Sequence, residues 1–185
     1  MSLTKHHQNR LLDIARASIQ HGLTTGKPIS LSLTDYPEAL TVLRASFVTL
    51  QKHHQLRGCI GMLEAIRPLA IDVAENAFAA AFKDSRFPVL QAYEMSELEI
   101  QISILSPPEP ITFHSEQDLL NQLKPGVDGL ILQAGHQRGT FLPSVWESLP
   151  EPEQFLRHLK HKAGLPFDYW SDSLRVYRYQ ADKIP

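Results

Sequence analysis

The sequence predicts an α+β protein with antiparallel sheets and flanking helices, arranged as two subdomains that share one compact unit. Two pairs of alternating, strand-like segments are each separated by a short polar turn, and segments with helical apolar spacing stand between them. Hydrophobic residues at 43% and charged residues at 21% are those of an ordinary globular chain. Hairpins outnumber the crossovers that a parallel sheet needs, so the antiparallel arrangement is favoured.

Periodicity assigns the elements of the first half in order. Apolar residues at three- and four-residue spacing follow Thr4, a residue type that caps helices, and Gly22 ends that pattern. Two alternating segments then flank His53 and His54 and indicate a hairpin. The predicted elements are a helix from Thr4 to about Gln20, strands at Arg44–Lys52 and Gln55–Leu63, a helix at Pro68–Lys83, and a strand at Leu98–Ile104.

The second half begins at the Pro-rich segment Ser106–Pro110, where we expect a subdomain boundary within a single domain that spans residues 1–185. Ser115 with Asp118 three residues later is typical of a helix start, and Gly135–Gly139 indicates a second hairpin turn. The predicted elements are a helix from Ser115 to about Leu123, strands at Leu130–Gln133 and Thr140–Leu142, a helix at Glu153–Lys162, and a strand at Leu174–Gln180.

Composition excludes several function classes. The formal net charge of −2 and the lack of a basic stripe argue against nucleic-acid binding, and acidic residues interrupt the longest apolar run, so no membrane span is expected. The N-terminus lacks the apolar core of a signal peptide, so a cytoplasmic location is predicted. The single cysteine, Cys59, excludes an internal disulfide framework and a multi-cysteine zinc site.

No cofactor and no metal site are predicted. The chain has no Gly-x-Gly-x-x-Gly stretch, no P-loop and no Cys-x-x-Cys motif. His158 and His161 lie three residues apart on a predicted helix, but no His-Glu-x-x-His pattern accompanies them.

The segment LRGCIG (Leu56–Gly61) carries the chemistry that the sequence offers. Strict alternation along a strand would place Leu56 and Gly58 on a core face and Arg57 and Cys59 on the other. Arg57 would then lie close enough to stabilise a thiolate on Cys59, a candidate nucleophile. Gly58 and Gly61 weaken a strand and suggest close approach by backbone or ligand. The structural alternative is that Cys59 packs as a small buried hydrophobe.

Two further residues, Arg86 and Asp128, have both a functional and a structural interpretation. Arg86 could hold a carboxylate or phosphate with its planar guanidinium, or it could tie down a helix end together with Asp84. Asp128 could act as an acid, a base or a substrate anchor, or as a turn residue that binds its own backbone. His136 is the candidate base for Cys59, and the sequence does not show whether the two meet.

At LRGCIG the chain resembles the AMMECR domain family, whose prokaryotic members are called AmmeMemoRadiSam system protein A. The resemblance extends in the family's order over roughly Arg44 to Tyr179, and Ser144 stands where the family usually has glutamine. The further matching blocks are AAAFKDSRF (Ala79–Phe87), PGVDG (Pro125–Gly129), GTFLPSV (Gly139–Val145), and FLRHLKHKAGL (Phe155–Leu165) with Trp170.

The resemblance implies an α+β domain of two subdomains in which LRGCIG lines a cleft. We place Arg57, Cys59, Arg86 and Asp128 in that cleft as a working hypothesis, with Gly58, Gly61 and Asp84 as further ligand-binding candidates. The family name implies a Memo-like protein and a radical S-adenosylmethionine protein as partners. It implies no settled reaction.

Two function classes therefore stay open. The first is an enzyme or binding protein that uses the Cys59 thiol on a small anionic or carbonyl compound. The second is a non-catalytic partner that organises or supplies a radical or metalloenzyme complex. In the second class Cys59 only packs, and Phe141, Val145 and Trp146 would form a docking surface.

Overall fold

The computed structural model describes residues 3–185, which form two compact units. The first unit runs to Leu105 and also contains Asp182–Pro185, and the second comprises Ser106–Ala181. Each unit has its own four-stranded sheet and its own apolar core, as expected for an α+β chain. No helix among the described residues is both long and apolar enough to cross a membrane.

The first unit packs two long helices against one face of its sheet. Val48 and Leu50 project from the central strand into a core that they share with apolar residues of both helices, such as Leu11 and Val73. The strand order is β2-β1-β3-β8, and β1 is antiparallel to both of its neighbours. The elements are α1 (Lys5–Thr25), α2 (Glu38–Thr41), β1 (Ser46–Lys52), β2 (Gln55–Gly61), α3 (Leu69–Phe82), β3 (Leu98–Leu105) and β8 (Ala181–Ile184).

Helix α1 begins as predicted and ends later than predicted. The Thr4 hydroxyl accepts a hydrogen bond from the His7 backbone N–H at 3.2 Å, which confirms the cap. Gly22 does not stop the helix, because it lies inside the helix against the Phe78 and Phe82 rings. The stop is Gly26, whose φ of 69° is the left-handed conformation that closes helices.

The hairpin between β1 and β2 turns at the predicted place. His53 and His54 have φ values of 51° and 61° and make a tight two-residue turn, while Gln55 already belongs to β2. The turn holds the two strands in register, so that six of the seven residues of β2 have a defined partner in β1.

The second unit has the sheet order β4-β7-β5-β6, with antiparallel neighbours throughout. The Ser115 hydroxyl accepts from the Asp118 N–H at 3.1 Å, which confirms the predicted helix start. The elements are β4 (Glu109–Pro110), α4 (Glu116–Gln122), β5 (Gly129–Ala134), β6 (Gln137–Phe141), α5 (Pro152–Lys162) and β7 (Arg175–Tyr179).

Two predictions about the second unit are wrong. The second hairpin turn is shorter than Gly135–Gly139, because β6 already begins at Gln137 and continues the pairing with β5. Trp146 cannot belong to a docking surface, since it is buried and its ring stacks on Phe155 at a centroid distance of 3.8 Å.

Candidate functional site

A β-bulge at Arg57 decides how the LRGCIG segment presents its side chains. Gly58 lies opposite Leu50 while Leu56 lies opposite Gln51, so Arg57 is an extra residue in β2 with no partner in β1. The bulge interrupts the alternation from which we predicted Leu56 in the core and Arg57 on the face of Cys59. Leu56 is 44% exposed, and its assignment to the core is wrong.

The space beside Gly58 and Gly61 is filled by the protein's own atoms. A Cβ on Gly58 would lie 2.2 Å from the carbonyl oxygen of Ala80 in α3, and one on Gly61 would lie 2.3 Å from the Phe47 ring. Both glycines therefore permit close packing of the helix and the neighbouring strand against β2. Their part in ligand binding stays a prediction.

The Arg57 guanidinium forms an ion pair with a buried carboxylate. Its Nε and Nη2 donate to Glu94 Oε1 and Oε2 at 2.9 and 3.0 Å, and the two side chains are only 11% and 8% exposed. The hydrogen bonds from Arg57 hold the pKa of Glu94 down to about 2. The Arg57 atom Nη1 is buried with no hydrogen-bond partner among the described residues. The role of Arg57 in stabilising a thiolate stays a prediction.

Cys59 is half-buried on the outer strand of the first sheet, opposite Thr49 of β1. Its Sγ lies 3.2 Å from Thr49 Oγ1, within hydrogen-bond distance. Its backbone N–H donates to Asp84 Oδ2 at 2.9 Å, and its carbonyl oxygen accepts from Arg86 Nη2 at 3.3 Å. The described contacts of the thiol include this hydroxyl and no histidine.

Asp84 and Arg86 act as one rigid pair next to Cys59. Arg86 Nε and Nη2 donate to Asp84 Oδ1 and Oδ2 at 3.0 and 2.7 Å, a bidentate arrangement. These bonds lower the pKa of the Asp84 carboxyl well below its usual range and raise the pKa of Arg86, with a smaller contribution to the latter from Cys59. Asp84 is buried, but the Arg86 side chain is 56% exposed. The described hydrogen bonds leave Arg86 Nη1 available to a ligand.

Asp128 belongs to the second unit, where it stabilises a turn. Its Oδ2 accepts from the backbone N–H of Lys124 at 2.9 Å and lies 3.9 Å from Arg178 Nη2. Its backbone oxygen accepts from the Trp146 indole at 2.8 Å. These contacts match the turn interpretation, and a place for Asp128 in the same site as Cys59 stays a prediction.

His158 and His161 of α5 both contact Phe167. The His161 ring stacks on Phe167 at 4.5 Å between centroids, and the His158 ring meets it edge-on at 5.5 Å. Aromatic packing therefore accounts for both side chains. Among the described residues, no group of three or more His, Cys, Asp or Glu side chains is arranged to hold a metal ion.

Sequence reasoning missed Thr49 and Glu94. Thr49 was assigned to a strand, but its position opposite Cys59 follows from the hairpin register, which the two-residue turn and the bulge determine together. Glu94 had a local signal, since it lies three residues after Gln91, and the two side chains form a capping box at a short 3-10 helix.

Comparison with known proteins identifies the family of this chain. The family model AMMECR1 matches residues 12–184. The chain belongs to the AMMECR1 family. A protein of Methanothermobacter thermautotrophicus is 38% identical over 185 residues, which cover 97% of this chain and 94% of the relative.

Further AMMECR1 relatives agree in length and in fold. A protein of Methanocaldococcus jannaschii is 41% identical over 175 residues, covering 90% of this chain and 84% of that protein. The crystal structure of an uncharacterised protein from Pyrococcus horikoshii superposes with a TM-score of 0.88 at 34% identity, over 98% of this chain and 92% of the other. The AMMECR1 membership and the α+β fold predicted from the sequence are therefore confirmed.

Proposed function

We propose that this AMMECR1 protein binds a small anionic or carbonyl compound beside Cys59 and that the thiol acts on it as a nucleophile. The observation that supports the proposal is the exposed guanidinium of Arg86, which donates to the carbonyl oxygen of the half-buried Cys59 and is paired with the buried carboxylate of Asp84. A fixed cation next to a cysteine favours the thiolate and attracts an anionic substrate.

The chemistry would begin with addition of the thiolate to a carbonyl carbon. As the S–C bond forms, the π pair of the carbonyl moves to its oxygen, and the N–H groups on Arg86 Nη1 would neutralise the charge that develops there. The thiol proton would leave to solvent, because the described contact of the Cys59 thiol is the Thr49 hydroxyl and not a base.

The test compares Arg86 with Arg57. Replacing Arg86 by glutamine removes the charge beside Cys59, so iodoacetamide alkylation at neutral pH should slow about threefold to tenfold. Arg57→Gln should leave that rate unchanged, since the Arg57 guanidinium is bound to Glu94. The Cys59→Ser variant gives the background rate.

The opposite pattern, with Arg57→Gln slowing alkylation and Arg86→Gln not, would assign stabilisation of the thiolate to Arg57. A native thiol that reacts only after unfolding would end the thiol proposal. In that case a non-catalytic partner role, in which the half-buried Cys59 only packs, is the second candidate. Cys59→Ser should then still co-purify with a Memo-like protein or a radical S-adenosylmethionine protein.

Thr49 offers a second, independent prediction. If its hydroxyl donates to the thiolate at the observed 3.2 Å, Thr49→Val should slow alkylation at neutral pH about tenfold. Valine has nearly the same shape and a high strand propensity, so the fold should survive. Thr49→Ser should restore the wild-type rate. A faster reaction in Thr49→Val would show instead that the thiol donates to Thr49.

A further inference from the structure

We propose that the first unit contains a second binding site, a groove that takes an apolar molecule carrying one anionic group. The groove lies where α1 and α3 end, and the segment that begins at Val89 forms its remaining wall. Its volume is about 540 Å³, within the range of small-molecule sites. None of the residues that contact Cys59 lines it, so the site goes beyond the proposed function.

Aromatic rings give the groove an apolar surface. Phe78 and Phe82 meet at a centroid distance of 5.0 Å and a tilt of 41°. Gly22 lets both rings lie directly against α1, because a Cβ there would fall 2.5 Å from the Phe82 ring. Leu23 extends the apolar lining along α1.

The groove leaves apolar surface exposed to solvent. Phe82 is only half-buried, and Val89 is 53% exposed. An exposed valine by itself is ordinary, but one that faces an open groove with aromatic walls offers area that a ligand can bury.

Lys83 favours a ligand that carries a negative charge. Among the described residues that line the groove it is the one with an ionisable side chain, and its Nζ lies 5.4 Å from the centroid of the Phe78 ring. The described residues give Lys83 no carboxylate partner, and the adjacent Asp84 is committed to Arg86 and to the Cys59 N–H. An ammonium placed over an aromatic wall suits a flat apolar body that ends in a carboxylate or sulfonate.

The experiment titrates the intact protein with two fluorescent probes of similar apolar body. One is anilinonaphthalene sulfonate, which carries a negative charge, and the other is the uncharged phenylnaphthylamine. Both should bind saturably and raise the thermal midpoint, because a ligand that binds the native state stabilises it. Lys83→Gln should weaken the sulfonate probe about threefold to fivefold and leave the neutral probe unchanged.

A matched pair of rim variants locates the binding. Val89→Glu places a carboxylate in the apolar wall and should weaken both probes about tenfold. Tyr93→Glu is the control, since Tyr93 is 73% exposed in the same unit and does not line the groove. Equal probe affinities in Val89→Glu and Tyr93→Glu, or no saturable binding of the probes by wild type, would overturn the proposed site. A sulfonate affinity that Lys83→Gln leaves unchanged would overturn the anionic assignment.

Discussion

Replacing Gly58 by alanine should destabilise the first unit by about 3 kcal/mol, at the upper end of the range for overpacked cores. The new methyl group would fall 2.2 Å from the Ala80 carbonyl oxygen. That oxygen belongs to the backbone of α3, so it cannot rotate away as the end of a side chain would. Relief would require α3 to move away from β2.

Urea unfolding followed by far-ultraviolet circular dichroism measures this loss. Both tryptophans, Trp146 and Trp170, lie in the second unit, so their fluorescence reports that unit separately. Leu56→Ala is the control within the same strand and should change stability by less than about 1 kcal/mol, because Leu56 is largely outside the core. Similar losses in the two variants would contradict the packing described for β2.

Replacing Glu94 by alanine is expected to cost about 3 kcal/mol, the magnitude found when one partner of a buried ion pair is removed. Arg57 would keep a charge in an environment that is only 11% exposed, and its Nη1 already has no partner among the described residues. The matched control is Glu97→Ala. Glu97 pairs with Lys52 at 3.1 Å and is 41% exposed, so its loss should stay within about 0.5 kcal/mol.

The Glu94 pair should also appear in the acid response. A carboxyl whose pKa falls from 4.5 to about 2 on folding stabilises the protein above the unfolded value, and this contribution is lost as the pH falls from 4.5 towards 2. Urea titrations across that window should show a smaller decline for Glu94→Ala than for wild type, by on the order of 2 kcal/mol. Equal declines would mean that the Glu94 carboxyl does not contribute to acid sensitivity.

The parts of the fold that local chemistry determines could be read from the sequence. Thr4 and Ser115 cap helices through their own hydroxyls, and the His53-His54 turn follows from the polar break between two alternating segments. The end of α1 could not be read from the sequence. A glycine such as Gly22 can either stop a helix or allow close packing, and the sequence does not distinguish the two. Only the neighbouring Phe78 and Phe82 rings make it a packing residue rather than a stop.

Three of the candidate site residues chosen from the sequence lie in contact, and their function as a site stays a prediction. Cys59, Asp84 and Arg86 do contact one another, and the motif blocks had pointed to all three. The bulge at Arg57 made the predicted strand faces of Leu56 and Arg57 unreliable, because one extra residue in a strand alters which side chains share a face. Arg57 therefore pairs with Glu94, a residue 37 positions away whose position depends on the fold of the intervening chain.

The Asp84–Arg86 pair also affects strand addition to the first unit at Cys59 of the outer strand β2. An outer strand normally offers unpaired N–H and C=O groups on which a foreign strand can assemble, and this exposes proteins to aggregation. At Cys59 the Asp84 carboxylate already accepts from the N–H and the Arg86 guanidinium already donates to the C=O, so these two backbone groups are hydrogen-bonded to side chains and not to another strand. Strand addition at Cys59 would first have to displace this bidentate ion pair.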